Sequence, residues 1–194
     1  MPDRTVARVP PEDFEERYRR HADPWGFATS PYELEKYART VAALEGARHG
    51  RALELGCAIG VLTERLAPSC ASLTAIDASP TAVGRARSRT SGLPHVDVRV
   101  ATLPEDLPSG RWDLVVASEV LYYFDDEVLD DLLHRLEAAL DPGGTLLAVH
   151  FTEDAPDHRQ SGDAVHGRLL RREALHHAGG ERRPRYRLDR FTRR

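Results

Sequence analysis

The sequence predicts an α/β domain built on a mostly parallel sheet, with helices on both faces and a helical cap ahead of it. Three observations carry this. After Gly50 short apolar runs alternate with helical patterns, the grammar of βαβ units. A glycine-bearing segment follows the first of those runs, where a strand would open onto a helix. The residues before Gly50 read as helices with no strand among them. The expected division is a cap over residues 1–46 and a core over 47–194.

Residues 1–11, rich in proline and charge, are expected as a loose tail. Phe14 and Tyr18 stand four apart and give a helix over 12–20 its apolar face. The segment DPWGFATSP ends that helix. Ser30 as N-cap, Pro31 at the first helical position and Glu33 three residues after the cap predict a second helix over 31–44, opened by a capping box and presenting Tyr37, Val41 and Leu44 on one side. Strands are read over 51–55, 72–77, 95–100, 112–118 and 144–150, with helices over 60–67, 80–89 and 125–140 between them. Ser79 and Pro80 cap and open the middle helix, and Asp141-Pro142-Gly143-Gly144 stops the last. A further helix over 161–177, with Ala164, Leu169 and Leu170 turned inward and Gly179 and Gly180 as its end, precedes a terminal edge strand in RYRLDRF.

At 194 residues the chain suits one α/β domain with a modest appendage. Its 41% hydrophobic and 30% charged residues are the balance of a soluble globular protein. A net charge of −4 offers a polyanion little, so nucleic acid is not expected as a partner. Cys57 and Cys70 lie in no C-x-x-C pair or zinc-ligand spacing, and His158, His166, His176 and His177 make no metal set, so neither a disulfide framework nor a metal is predicted. No apolar leader core opens the sequence, and no run approaches the roughly twenty residues of a membrane span. The expected location is the cytoplasm, without a membrane partner; oligomeric state stays open.

The informative segment is Leu53-Glu54-Leu55-Gly56-Cys57-Ala58-Ile59-Gly60. Glycines at such a strand-to-helix turn let the backbone pass close to a ligand and set helix N–H groups against it. Ala58 fills the place of the middle glycine in the dinucleotide fingerprint, which disfavours NAD. Asp77 closes the next strand about twenty residues on, where a carboxylate can accept both hydroxyls of a ribose.

The segments DPWGFATSPYELEKY, ALELGCAIGVLTERLAP, AIDASPTAVGRAR, WDLVVASEVLYYFDD, LDPGGTLLAVH, SGDAVH and YRLDRF give the chain, over nearly its whole length, a resemblance to the NodS-type nodulation methyltransferases, a branch of the class I enzymes that use S-adenosylmethionine (SAM). The resemblance implies a Rossmann-like sheet of seven strands, shortened at its last hairpin, where ERRPRYRLDRF leaves little room and Pro184 interrupts. It implies SAM as cofactor, S-adenosylhomocysteine (SAH) as product, and N-methylation of an amino sugar, alone or within an oligosaccharide. Glu54 would support the glycine loop and reach the methionine amino group. Gly56, Cys57, Ala58, Gly60, Asp77, Ala78, Ser118 and Glu119 would form the rest of the cofactor cradle. Thr102 stands where the family commonly has an acid facing adenine, which leaves that contact to backbone near Leu103.

In an open α/β sheet ligands lie beyond the carboxyl ends of the strands, which gathers Gly56, Asp77, Thr102, Ser118, Glu119 and His150 on one rim. Trp25 and Tyr32, at breaks in the cap, offer aromatic surface to a sulfonium or an acceptor, while Tyr37 is read as core. Methyl transfer is an in-line displacement, helped mainly by positioning and exclusion of water. An amine acceptor must arrive neutral, so a carboxylate or imidazole near its proton is useful. Glu119 and His150 are the candidates, with Tyr122 orienting the acceptor and Tyr123, Asp163 and His166 beside it. O-methylation of a hydroxyl or carboxylate is the near alternative. A nicotinamide oxidoreductase and a non-catalytic SAM-binding module are the distant ones. The Tyr-x-x-x-Lys pair of many such oxidoreductases occurs only as Tyr32 and Lys36, ahead of the first core strand.

Overall fold

A computed structural model describes residues 8–194. Seven strands, β1 (His49–Leu55), β2 (Cys70–Asp77), β3 (Val96–Val100), β4 (Trp112–Ser118), β5 (Leu140–Phe151), β6 (Leu175–Arg182) and β7 (Tyr186–Arg193), form one Rossmann-like sheet in the order β3-β2-β1-β4-β5-β7-β6. β1 to β5 pair in parallel, β7 runs antiparallel to β5, and β6 antiparallel to β7. Six helices accompany them: α1 (Pro11–Arg20), α2 (Pro31–Ala42), α3 (Val61–Leu66), α4 (Pro80–Arg89), α5 (Asp126–Ala139) and α6 (Gly162–Leu170). Among the described residues, no helix is long and apolar enough to cross a membrane.

The near-continuous apolar runs read in the central strands reflect burial on both faces. Along β4, Leu114 and Val116 join a cluster with Tyr37 of α2 and with Leu62 and Leu66 of α3. Val115 and Ala117 point the other way, against Leu129, Leu132 and Leu136 of α5 and against Val165 and Leu169 of α6. Strand order reverses between β1 and β4, so the loops after β1, β2 and β4 diverge around one crevice at the carboxyl ends of the strands.

Several expectations are corrected at the ends of the chain. Part of the expected tail falls on residues 1–7, outside the described residues. Within the rest, Val9 N–H donates to Tyr123 O at 2.9 Å and Arg8 bridges to Phe124, so this stretch is pinned across the crevice. The capping box at Ser30 is absent: Ser30 N–H donates to Gly26 O at 2.8 Å, and Glu33 turns instead to Lys36. The helix expected over 161–177 stops at Leu170, and His176 to Gly180 belong to β6. Ala164 and Leu170 face outward, while Val165, His166 and Leu169 are buried. The last hairpin is complete, because β6 begins at Leu175 and Pro184 sits in its turn. RYRLDRF is therefore an interior strand, and β6 is the edge.

Candidate functional site

The crevice deepens into a cavity of about 440 Å³. Its floor is the loop after β1 with the ends of β2 and β4, and its roof comes from α1, α2 and the segment between them. Of the chain's five Phe, two Trp and six Tyr, all but Trp112, Tyr186 and Phe191 line it. Trp25 stacks on Phe27 at 5.6 Å between ring centroids and meets Tyr18 edge-on at 5.5 Å. Such a shell excludes water and presents ring faces to positive charge.

Gly56 has φ +70°, and a Cβ there would approach Val120 Cβ and Cγ2 at 3.2 Å. The turn therefore favours glycine both in backbone and in space. Asp77 receives Ala58 N–H on Oδ2 and Ser79 N–H on Oδ1, both at 2.9 Å. Each oxygen keeps a second lone pair for a ligand hydroxyl. Burial raises its carboxyl above the usual range. Glu54 is 1% exposed and its Oε2 has no hydrogen-bond partner. Burial pushes its carboxyl up to about 7; the neighbouring Thr63 hydroxyl pulls it down, and the Asp77 charge adds to the rise. A buried oxygen without a partner, on a residue of the cavity wall, fits a cationic ligand group that would complete it.

On the acceptor side Glu119 has φ +56°, an uncommon backbone for a residue with a side chain. Its oxygens accept three bonds: Lys36 Nζ at 2.6 Å, Tyr122 hydroxyl at 2.5 Å and Phe151 N–H at 2.9 Å. Lys36, 1% exposed, also pairs with Glu33. Burial works against its ammonium, but the Glu119 and Glu33 carboxylates outweigh that and hold the amine above its ordinary range. A carboxylate so occupied is a poor proton acceptor. Glu119 instead ties α2 to the end of β4 and aims the Tyr122 ring.

Trp25, Tyr32, Glu54, Gly56, Cys57, Ala58, Asp77, Ala78, Thr102, Leu103, Ser118, Glu119, Tyr122 and Tyr123 all lie on the cavity wall. Cys57 is buried there, and burial holds its thiol well above the usual value. Leu103 O is already taken by Arg8 Nη1 at 2.5 Å. Four expected residues lie elsewhere. Gly60 opens α3, where a Cβ would sit 2.9 Å from Ala86, so its glycine serves the approach of α3 to α4. Asp163 pairs with Arg182 at the surface. His150 and His166 are fully buried. Strand alternation puts His150 on the face of Leu146 and Ala148, toward α6, while its neighbour Phe151 reaches the cavity. Leu121 N–H donates to His150 Nε2 at 3.2 Å, His150 Nδ1 meets His166 Nε2 at 3.1 Å, and His166 Nδ1 meets Asp189 Oδ2 at 2.7 Å.

Among the cavity residues that were not anticipated, three stand out for their chemistry. Lys36 had a signal, as the only lysine of an arginine-rich chain. Arg185 lies over the Tyr32 ring at 4.6 Å and the Phe151 ring at 5.3 Å, and had none. His158 stacks on Tyr122 at 3.7 Å between centroids; the sequence offered it only as a metal ligand to be dismissed.

Comparison with known proteins bears on this geometry. The family described as nodulation protein S (NodS) matches residues 11–153. Nodulation protein S of Sinorhizobium fredii is 35% identical over 127 residues, 64% of this chain and 59% of its own length. The chain thus matches about three-fifths of the length of that curated relative. The solved structure of N-methyltransferase NodS from Bradyrhizobium japonicum, in complex with SAH, superposes with a TM-score of 0.83 at 30% identity, covering 94% of this chain and 98% of that one. A crystal structure described as a putative methyltransferase from Pseudomonas syringae is 38% identical, with a TM-score of 0.74 over 84% of this chain and 99% of that one.

Proposed function

The chain belongs to the nodulation protein S family, and from that premise we propose that it is a SAM-dependent methyltransferase acting on the nitrogen of a small amine, with an amino sugar, alone or within an oligosaccharide, as the preferred acceptor class. The observation that carries the reading is the pairing of an open, buried Glu54 carboxylate with the Gly56 turn and the Asp77 carboxylate under an aromatic roof. SAM supplies a methyl group on a sulfonium sulfur. On this chain Glu54 holds the methionine amino group, Asp77 holds the ribose hydroxyls, and the Gly56 turn gives the cofactor room. The aromatic roof, with Trp25 and Tyr32 in it, keeps water out. Tyr122, fixed by Glu119, orients the acceptor.

The SAH complex of the NodS relative supports the cofactor assignment, and the N-methyltransferase name of that relative supports nitrogen over oxygen as the acceptor atom. Calorimetric titration with SAH tests the reading. The parent binds, and Asp77→Ala weakens binding by about 1 to 3 kcal/mol through loss of a charged acceptor for buried hydroxyls. Absence of SAH binding in the folded parent would overturn it. Methyl-labelled SAM offered with amino sugars, phenols and small acids then separates nitrogen from oxygen acceptors.

A further inference from the structure

His158 lies on the cavity wall between Tyr122, on which it stacks, and Asp157. Its side chain is 9% exposed. Among the described residues neither ring nitrogen makes a hydrogen bond, and Nδ1 is wholly buried without a partner. A buried polar atom with nothing to bond is costly, and on the wall of a cavity a ligand can supply the missing partner. The neighbours fix which nitrogen that is. Nε2 faces Asp157 Oδ1 at 3.9 Å, and the other oxygen of Asp157 accepts Arg17 Nη1 at 2.6 Å. The carboxylate favours the tautomer with its proton on Nε2, which leaves the lone pair on Nδ1.

We propose that His158 is the group that takes the proton from the acceptor nitrogen, with Nδ1 as the receiving atom, Asp157 holding the tautomer and Arg17 holding Asp157. The inference rests on the methyltransferase reading above and names its base. The proton leaves the ammonium for Nδ1, and the freed nitrogen pair forms the new N–C bond while the methyl–sulfur bond breaks with its pair left on sulfur. The charged and titratable groups around the ring are Asp157 from its own loop, with Arg17 of α1 behind it, Glu119 at the end of β4, Tyr122 and Tyr123 from the turn after it, and His150 of β5. Burial lowers the imidazole below its ordinary value, against the opposing pull of Asp157 and Glu119, so the ring is a free base at neutral pH. Neither other candidate has these properties: Glu119 accepts three bonds, and both nitrogens of His150 are engaged.

The test begins without turnover. In ¹⁵N-histidine-labelled protein saturated with SAH, ring shifts should show His158 protonated on Nε2 and titrating below an ordinary imidazole; a proton on Nδ1 overturns the assignment. His158→Gln should bind SAH within about twofold of the parent while lowering kcat on D-glucosamine about 10²-fold or more. The acidic limb of the kcat–pH profile should go with it, and Asp157→Asn should give a smaller loss with a shifted limb. Retention of kcat or of the acidic limb in His158→Gln overturns the proposal, as does a parent that binds SAH but methylates no amine. A parent that fails to bind SAH overturns the methyltransferase reading itself, a distinct result.

Discussion

Two clusters of buried polar groups stand a short distance apart in this molecule and differ in one respect. Behind the sheet the chain Leu121 N–H, His150, His166, Asp189 is closed at every atom. Because a backbone N–H can only donate, His150 Nε2 must accept. Its proton therefore sits on Nδ1 and is donated to His166 Nε2, and His166 Nδ1–H is donated to Asp189. Asp189 also accepts His177 Nε2 at 2.8 Å and Arg187 Nε at 2.6 Å. On the cavity wall, by contrast, Glu54 Oε2 and His158 Nδ1 are equally buried and have no partner. A polar group with every bond made holds the fold together, whereas one buried on a cavity wall with a bond missing can be completed by a ligand. A buried histidine near the strand ends is therefore not a base by type alone; hydrogen-bond saturation separates His150 from His158.

The largest expected effect tests the closed cluster. Asp189→Ala removes the acceptor for His166, His177 and Arg187 and strands the His166 N–H in the core. Leaving such a group uncompensated costs about 3 to 5 kcal/mol, or roughly 6 to 20 °C in melting temperature for a chain of this size. Calorimetry should show that loss, with SAH affinity per folded molecule changed by less than about threefold. A collapse of SAH binding at unchanged stability would mean the two clusters are not separate in function.

Glu54 should give the opposite sign. Its carboxyl is raised by burial from 4.5 to about 7. In the unliganded protein it is neutral in both folded and unfolded chains below pH 4.5, and folding is penalised increasingly as pH climbs from 4.5 to 7. The penalty reaches about 3 kcal/mol and is constant above that. Glu54→Gln should therefore leave thermal stability unchanged at pH 4.5, raise it at pH 8, and weaken SAH binding tenfold or more. Equal stability of the two proteins at pH 8 would show that the oxygen is not waiting for a charge.

The same distinction explains what the sequence disclosed. Glu54, Gly56 and Asp77 are set by strand, turn and helix within 24 consecutive positions, and local grammar of that kind reads directly. The five parallel strands were legible for the same reason. β6 was not, because it is an edge strand with only Leu175 buried, and without two alternating faces it shows no period of two. Its Gly180 answers a tertiary demand: a Cβ there would lie 2.2 Å from Asp189 Oδ1. His150 was misplaced because gathering residues by strand end ignores which face each one takes. Lys36 and His158 meet their partners across 83 residues and 36 residues of chain respectively, through Glu119 and Tyr122, and no local pattern encodes such a meeting.

The smallest effect sharpens the comparison at the level of one hydroxyl. Ser30 and Ser79 each precede a proline that opens a helix, and from sequence both are N-caps. Ser79 is fully buried and saturated: its Oγ accepts Ala82 N–H at 3.0 Å and donates to Glu15 Oε2 at 2.7 Å, joining α1 to α4. Partial burial would raise the Glu15 carboxyl, but the bonds from Ser79 and Thr81 outweigh it and lower it to about 2. Ser30 makes no side-chain cap bond. Ser79→Ala should cost about 1 to 2 kcal/mol, the upper part of the range for lost caps because the hydroxyl is also bonded to Glu15, and Ser30→Ala less than about 0.5 kcal/mol. Urea titration of the two variants at pH 7 reads the difference. If both lose the same stability, the proline that follows each serine fixes the helix start, and the hydroxyl bond adds nothing; if only Ser79→Ala loses it, saturation of the buried group is what stabilises the cap against the core.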